Sequence, residues 1–432
     1  VPEGARLAFT GGTEADVRLL AGALTAAGFQ ILPPGASVDA CLVLSALSDQ
    51  DTATRHWNTL TAARSARSTA PRILLLQTAG TSSGLDGLSR TLRKEWPEHK
   101  VYAWTLPDHM ESWPGIVAHA LREGIPDAVL LPEGPPLAPR AGARLQPVAA
   151  SGASPGTWLI TGGARGVTAA CARQLAEAAG GTLLLAGRSA VAPWPDGLPY
   201  TRDLKTLRGL LAARPRQGRA RLSPSEIDRT GRALLAGAEI RDTLAAIRQT
   251  GAQVEYIEMD AGDPDSVARA LSGAQSRYGP VTGLVHGAGV LADRLAEEKT
   301  EAELRRVFAP KVGGLENVMR YLDSARLTHV ALFSSAAAFF GNRGQSDYAM
   351  ANAWLTRSAH LLAQAQPGLR VKVFHWGPWA GGMVDATLAG HFEAQGIPLI
   401  PLGEGARIFA SELLWGDPDQ IELVVGEAWA EA

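Results

Sequence analysis

Trp158-Leu159-Ile160 runs into Thr161-Gly162-Gly163-Ala164-Arg165-Gly166-Val167-Thr168, and a helical stretch, Ala169 to Ala178, follows. A strand, a glycine-rich turn and a helix in that order constrain this chain more than any other part of it. Glycine at such a turn lets backbone amides approach phosphate oxygens, and the helix amino terminus favours their negative charge. Gly162, Gly163, Arg165, Gly166 and Val167 are therefore candidate anion-binding residues. Alone, a glycine-rich turn is weak evidence; between a strand and a helix it carries more weight.

The same alternation continues downstream. Thr182 to Leu185 reads as a second strand ending in Ala186-Gly187-Arg188-Ser189, and Val254 to Met259 as a third ending in Asp260-Ala261. Leu284-Val285-His286-Gly287-Ala288-Gly289 is a fourth, whose small residues let a flat ligand lie against backbone. Val371 to Trp376 leads into Gly377-Pro378-Trp379, and Arg407 to Trp415 with Ile421 to Val425 closes the sheet. This predicts an α/β fold with a doubly wound parallel sheet over 149–432. An acidic residue after the second strand would hold ribose hydroxyls, whereas Arg188, helped by Arg165, suits a 2′-phosphate and argues for NADPH. Ser189 stands beside it, and Asp260 and Ala261 are placed to meet the adenine. His286 reads as a packed or hydrogen-bonded core residue.

Residues 1–148 show a related pattern. Short buried strands at Arg6 to Phe9, Ala40 to Leu44, Arg72 to Gln77, Val101 to Leu106 and Ala128 to Leu131 alternate with helical stretches such as Glu14 to Ala27 and Leu85 to Glu95. Thr10-Gly11-Gly12-Thr13-Glu14-Ala15 has no further glycine to approach a pyrophosphate. This half therefore reads as a Rossmann-like subdomain that is structural and degenerate. Pro132 to Gly156, rich in Pro, Gly, Ala and Ser, reads as the linker. Ala190 to about Arg241 exceeds a plain crossover and reads as a helical insertion, with Ser223-Pro224-Ser225-Glu226 as a capping box that has proline in the first helical position.

Chemistry concentrates in one stretch. Val330 to Phe333 is an apolar run ending on Ser334-Ser335, and after a Gly/Asn/Arg loop Tyr348 opens an alanine-rich helix. A hydroxyl and a phenol at the carboxyl end of a parallel strand suit carbonyl reduction. Ser335 can hydrogen-bond the carbonyl oxygen while the phenol gives its proton as hydride reaches carbon. A phenol with an ordinary pKa of about 10 calls for a nearby cation to lower it.

These residues resemble the short-chain dehydrogenase/reductase superfamily, and within it the ketoreductase domains of type I polyketide synthases. Most of the superfamily has lysine four residues after the tyrosine. Here Asn352 stands there, and Lys311 lies in Phe308-Ala309-Pro310-Lys311-Val312-Gly313-Gly314, the exchange that polyketide ketoreductases show. The resemblance implies a tetrad of Lys311, Ser335, Tyr348 and Asn352. It also implies an amino-terminal structural subdomain, to which Gly84-Leu85-Asp86-Gly87 and Leu92-Arg93-Lys94-Glu95-Trp96-Pro97 are similar. In the family the Gly377-Pro378 turn lies beside the nicotinamide, and Met383 to Gln395 reads as a lid helix, with Trp379 and Met383 facing substrate. Thr168 stands where the superfamily has its last glycine. The turn and the insertion look closest to ketoreductases of polyunsaturated fatty acid synthases and some iterative synthases.

The implied reaction is reduction of a 3-ketoacyl thioester, carried on the phosphopantetheine arm of an acyl carrier protein, to the 3-hydroxyacyl thioester. Neighbouring domains of the same synthase are the other expected partners. In the family a Leu-Asp-Asp motif marks the class making the D (3R) hydroxyl, and a tryptophan eight residues before the tyrosine marks the opposite class. This chain has Leu291-Ala292-Asp293, keeping Asp293, and Phe340 at the tryptophan position; Arg343 and Asp347 depart from the D-class pattern. The expectation is 3R.

Composition narrows the alternatives. With 46% hydrophobic and 19% charged residues and a net charge of -2, the chain fits a globular protein with no basic surplus for nucleic acid or anionic membrane. Cys41 and Cys171 offer neither a disulfide framework nor a zinc pattern and fit a reducing cytoplasm. No histidine or cysteine pairs at ligand spacing appear, so no metal is expected, and no Gly-x-Ser-x-Gly elbow or Walker loop is present. The start at Val1 reads as that of a piece excised from something longer. Two other classes stay open: a free-standing dehydrogenase of small alcohols, and a catalytically silent synthase domain. Consumption of NADPH with a 3-ketoacyl thioester separates them.

Overall fold

The computed structural model describes residues 1–2, 4–80, 83–131, 156–214, 222–382, 386–394 and 396–426. In the first half, strands β1 (Arg6–Thr10), β2 (Gln30–Ile31), β3 (Ala40–Val43), β4 (Arg72–Thr78), β5 (Lys100–Leu106) and β6 (Ala128–Val129) alternate with helices α1 (Glu14–Ala26), α2 (Thr52–Arg67), α3 (Leu85–Glu95) and α4 (Trp113–Glu123). The strands pair in parallel in the order β2-β1-β3-β4-β5-β6. β2 has no counterpart among the strands expected from the sequence, since two residues are too short for a periodic signal. The linker expected over Pro132 to Gly156 falls, but for Gly156, outside the described residues.

The second half contains β7 (Thr157–Thr161), β8 (Thr182–Gly187), β9 (Gln253–Glu258), β10 (Gly283–His286), β11 (His329–Ser335), β12 (Arg370–Trp376) and β13 (Glu422–Val425). Its helices are α5 (Gly166–Ala179), α6 (Leu204–Ala213), α7 (Pro224–Gln249), α8 (Pro264–Tyr278), α9 (Glu301–Phe308), α10 (Gly314–Tyr321), α11 (Ala336–Phe340), α12 (Ser346–Ala365), α13 (Ala386–Ala394) and α14 (Leu402–Trp415). The sheet runs β13-β12-β11-β10-β7-β8-β9, all parallel. Its order reverses between β7 and β10, the place where such sheets hold ligands. Two parallel sheets flanked by helices make the α/β, Rossmann-like architecture expected.

The corresponding reversal in the first half, between β1 and β3, is filled. A Cβ on Gly12 would lie 2.6 Å from the Leu44 side chain, and one on Gly11 would meet Ser45. Leu44 is wholly buried there.

The stretch read as an insertion does not end near Arg241. The predicted cap forms, with Ser223 N–H donating to Glu226 at 2.8 Å, but α7 then runs unbroken for 26 residues. Its first turns pack Leu234 against Leu207 and Leu211 of α6 in a small core of their own. Ile240, Leu244 and Ile247 pack on the second sheet. One helix thus serves as both insertion and ordinary crossover, which local sequence cannot divide.

The two halves share one hydrophobic core. Leu85, Leu88 and Leu92 of α3 lie in the same cluster as Leu332 of β11 and Met350 and Leu355 of α12. The approach is close enough to need glycine. Gly84 adopts φ +73°, and a Cβ there would sit 2.3 Å from the Met350 carbonyl oxygen. The first half is therefore a buttress for α12, the helix that carries Tyr348 in its first turn.

Candidate active site

Strand alternation separates the two serines at the end of β11. Ser334 is buried and its hydroxyl donates to the Asn352 carbonyl at 3.1 Å, fastening β11 to α12. Ser335 is only half-buried and caps α11, its Oγ accepting the Ala337 N–H at 3.2 Å. That acceptance leaves its own proton free to be donated elsewhere. Tyr348 sits in the first turn of α12, half-buried.

Lys311 lies in a π-helical turn, Ala309–Gly313, that joins α9 to α10. It is buried, and its Nζ donates to the Phe333 carbonyl at 2.8 Å while lying 5.5 Å from the centre of the Tyr348 ring. A Cβ on Gly289 would come within 2.8 Å of Lys311 Cε, so glycine there makes room for the lysine stem. Asn352 Nδ2 donates to the Tyr348 carbonyl at 2.8 Å, and its buried Oδ1 accepts no hydrogen bond among the described residues. All four tetrad positions are thus brought together.

The electrostatics differ from the expectation of a lowered phenol pKa. Burial pushes the Tyr348 phenol up to about 12; the Asn352 and Ser335 side chains pull the other way, and the Asp293 carboxylate adds to the rise. Burial also brings the Lys311 amine down to about 7, so near neutrality its charge is partial. Desolvation thus sets the direction for both groups.

His286 is a core residue, as read from sequence. It is fully buried, and burial holds it neutral, down to about 4. Nε2 donates to the Lys311 carbonyl at 2.9 Å, so Nδ1 accepts from Thr161 Oγ1, also at 2.9 Å.

Beside the tetrad, a cleft opens at the β7–β10 reversal. Gly162, Arg165, Arg188, Ser189, Asp260, Ala261, Ala288 and Gly289, all candidates from the sequence, line it. Gly163, Gly166, Val167 and Gly287 do not. Gly163 packs on Ile160, and Gly287 makes room for Thr168, whose Cγ2 would be 2.7 Å from a Cβ there. The close helix–strand approach thus survives Thr168 because the glycine lies on the strand side. Gly166 opens α5, with Val167 following it. Gly377 and Pro378 follow β12 at the end where Trp376 pairs with Ser335, and Gly377 N–H bonds to Val425.

Arg188 is exposed and makes no ion pair among the described residues. Arg165 instead donates to Glu239 of α7 at 2.8 Å, and Glu239 also accepts the Gly166 N–H at 2.8 Å. Tyr256, which lines the cleft, donates to the Ser189 carbonyl at 2.8 Å. Sequence reasoning misses both Glu239 and Tyr256, since nothing local marks a helix face turned toward a distant turn.

The substrate-side candidates are dispersed. Asp293 is exposed and accepts from Gln345 Nε2 at 3.0 Å. Phe340, half-buried, stacks edge-on against Phe339 at 4.9 Å. Trp379 is buried against Trp376 at 4.7 Å, in the core under α14. Met383 lies outside the described residues, as do the start of the lid stretch and Gln395, while α13 covers the rest.

Among the described residues no His, Cys, Asp or Glu cluster could hold a metal, and no helix is long and apolar enough to cross a membrane. Cys41 and Cys171 are free and buried.

Residues 156–381 match the model of the KR domain. The chain is 37% identical over 62% of its length to a polyunsaturated fatty acid synthase polypeptide of Thraustochytrium sp., covering 10% of that protein. It is 30% identical over 58% of its length to a phenolphthiocerol/phthiocerol polyketide synthase polypeptide of Mycobacterium tuberculosis, covering 9%. The chain thus spans about a tenth of the curated relatives it matches. Among solved structures, an A-type ketoreductase of a modular polyketide synthase superposes with TM-score 0.74 at 20% identity, over 99% of this chain and 90% of that one. The ketoreductase of the first module of phoslactomycin biosynthesis in Streptomyces sp. HK803 gives 0.70 at 20%, over 99% and 90%. With the family model matching more than half its length, this chain belongs to the KR domain family, the ketoreductase domains of polyketide and fatty acid synthases.

Proposed function

We propose that this domain reduces a 3-ketoacyl thioester, presented on the phosphopantetheine arm of an acyl carrier protein, to the 3R-hydroxyacyl thioester with NADPH. The observation that carries this reading is the convergence of the Ser335 hydroxyl, the Tyr348 phenol and the Lys311 amine at the carboxyl end of β11, beside a glycine-lined cleft. The cleft residues fit a dinucleotide. Gly162, Gly187 and Gly289 keep its walls low, and Arg188, which makes no ion pair among the described residues, follows β8 and suits a 2′-phosphate. Arg165, held by Glu239 at 2.8 Å, is a second cation on the same wall, while Asp260 and Ala261 would meet the adenine and the Gly377-Pro378 turn the nicotinamide.

NADPH held in this cleft would supply a hydride for the β-carbon. Ser335, its Oγ already accepting a backbone N–H, donates a hydrogen bond to the substrate carbonyl oxygen, keeping its proton, and holds that oxygen in place. Tyr348, kept protonated by burial, gives its proton to that oxygen as negative charge develops on it. Charged Lys311 then faces the phenolate. Asn352, bonded to the Tyr348 carbonyl, holds the first turn of α12 in register. Asp293, on the loop after β10, closes one entrance, so that the thioester arm enters from the other side and the 3R alcohol results.

The carrier protein and the neighbouring synthase domains are the partners, and the cytoplasm, where both free thiols would stay reduced, is the place. The test is consumption of NADPH with a 3-ketoacyl N-acetylcysteamine thioester, followed by chiral chromatography of the product. No turnover would leave a silent domain; mainly 3S product would sink the stereochemical part alone.

A further inference from the structure

Lys299 and Asp347 form an ion pair at 2.9 Å with both side chains wholly excluded from solvent. Desolvating two charges is costly, and apolar residues of similar volume would often be at least as stable. The position of this pair points to another role. Asp347 directly precedes Tyr348, and its Oδ1 accepts both the Lys299 ammonium and the Tyr348 N–H, the latter at 2.8 Å. That N–H is a first-turn amide with no partner inside the helix. Lys299 ends the loop that follows β10. Its Nζ also donates to the Ala292 carbonyl, beside Asp293, and to the Gly344 carbonyl at 3.4 Å.

One ammonium therefore joins the Asp293 loop, the loop before α12 and the residue next to the proton donor. The first half reinforces the junction. Glu95, the last residue of α3, accepts the Gly344 N–H at 2.9 Å and the Ala296 N–H at 2.6 Å, one on each loop. Arg64 of α2 donates to the Lys299 carbonyl at 2.7 Å.

We propose that Lys299 and Asp347 are positioning residues, a buried clamp that fixes the Asp293 loop against the first turn of α12, with Glu95 as its strut from the structural subdomain. The clamp sets how the substrate entrance stands relative to the Tyr348 phenol. In activity terms it rests on the reduction proposed above.

The test compares Lys299→Met, the double variant Lys299→Met/Asp347→Leu and Glu95→Gln with the wild type, all as the full chain. Lys299→Met leaves a buried carboxylate unpaired and should lower both Tm and kcat. The double variant should recover Tm, as apolar replacement of a buried pair does. Its kcat should nonetheless stay about tenfold or more down, its 3R:3S ratio should erode, and its NADPH affinity by titration should stay within about twofold. Amides of 291–296 and 343–349 should exchange with deuterium about tenfold faster, while those of α5 do not change. A double variant with wild-type Tm, turnover, product ratio and exchange would overturn the proposal. Should it fail to fold, Glu95→Gln decides. Losing the acceptor for one loop amide should speed exchange in the same two segments and shift the product ratio, and no change in either would refute the clamp. Should the wild type not reduce the thioester, the reduction itself falls, and the exchange data still judge the clamp.

Discussion

Gly87 of α3 offers a test of how far the first half controls chemistry in the second. A Cβ at this position would lie 2.4 Å from the Ala349 carbonyl oxygen, 2.8 Å from its carbon and 3.0 Å from the Ala353 Cβ. Two of these atoms are backbone, so no side-chain rotation relieves the clash in Gly87→Ala. Carbon and carbonyl oxygen settle at about 3.3 Å, so α3 and α12 must part by roughly 0.9 Å. Ala349 directly follows Tyr348, and the phenol moves with it. A displacement near 1 Å can cost about 10²-fold in rate, or about 2.7 kcal/mol of barrier. Overpacking should also cost about 1–3 kcal/mol of stability. Gly22→Ala in α1 is the control, since nothing lies within 4 Å of a Cβ there and a helix-interior alanine gains about 0.5–1 kcal/mol. The assay is NADPH consumption with a 3-ketoacyl thioester, beside thermal melts of both variants. Gly87→Ala turning over within about threefold of wild type at an unchanged Tm would refute the argument.

Tyr348→Phe should lose about 10²-fold or more in turnover with NADPH binding largely intact, and retention of more than about a tenth of the rate would remove Tyr348 as proton donor. Arg188→Ala should weaken NADPH about tenfold or more, by loss of charge-assisted hydrogen bonds, with little effect on NADH; equal losses in titrations of the two would overturn the 2′-phosphate role. Lys311, with its folded pKa brought down to about 7, is charged below that value, so kcat/KM for the ketone should fall as pH rises through about 7, and a flat profile would count against it. The same lowering means that the unfolded chain binds the extra proton between about 7 and 10.5. Stability from this group therefore rises with pH across that window, and Lys311→Met should flatten the slope in thermal melts.

The periodic parts of this chain were legible without coordinates. Leu85–Glu95 was delimited to the residue, and the cap at Ser223 to Glu226 formed as its residue types require, because both depend on neighbours within one or two turns. The order of strand, serine, tyrosine and asparagine also pointed to the tetrad positions, although the stretch between Ser335 and α12, which reads as a loop, contains the short α11. Lys311 was legible only through its family motif; its π-helical turn and its path past Gly289 depend on β10 and β11.

What the sequence determined by itself is the inventory: two α/β halves, a glycine-rich turn feeding a helix, and the residue types for proton transfer at the end of one strand. These follow from local steric preference and the periodicity of apolar residues, which act over a few positions. Only the tertiary structure decided which charges would be dry. In Glu297-Glu298-Lys299 the lysine reads like its two exposed neighbours, yet it alone is buried, because Ala292, Gly344 and Asp347 close around it from 7, 45 and 48 residues away. Glu239, from 74 residues away, meets Arg165 for the same reason. Burial is a property of the packed whole, and the strength of a charge depends on it far more than on the identity of its neighbours in the chain.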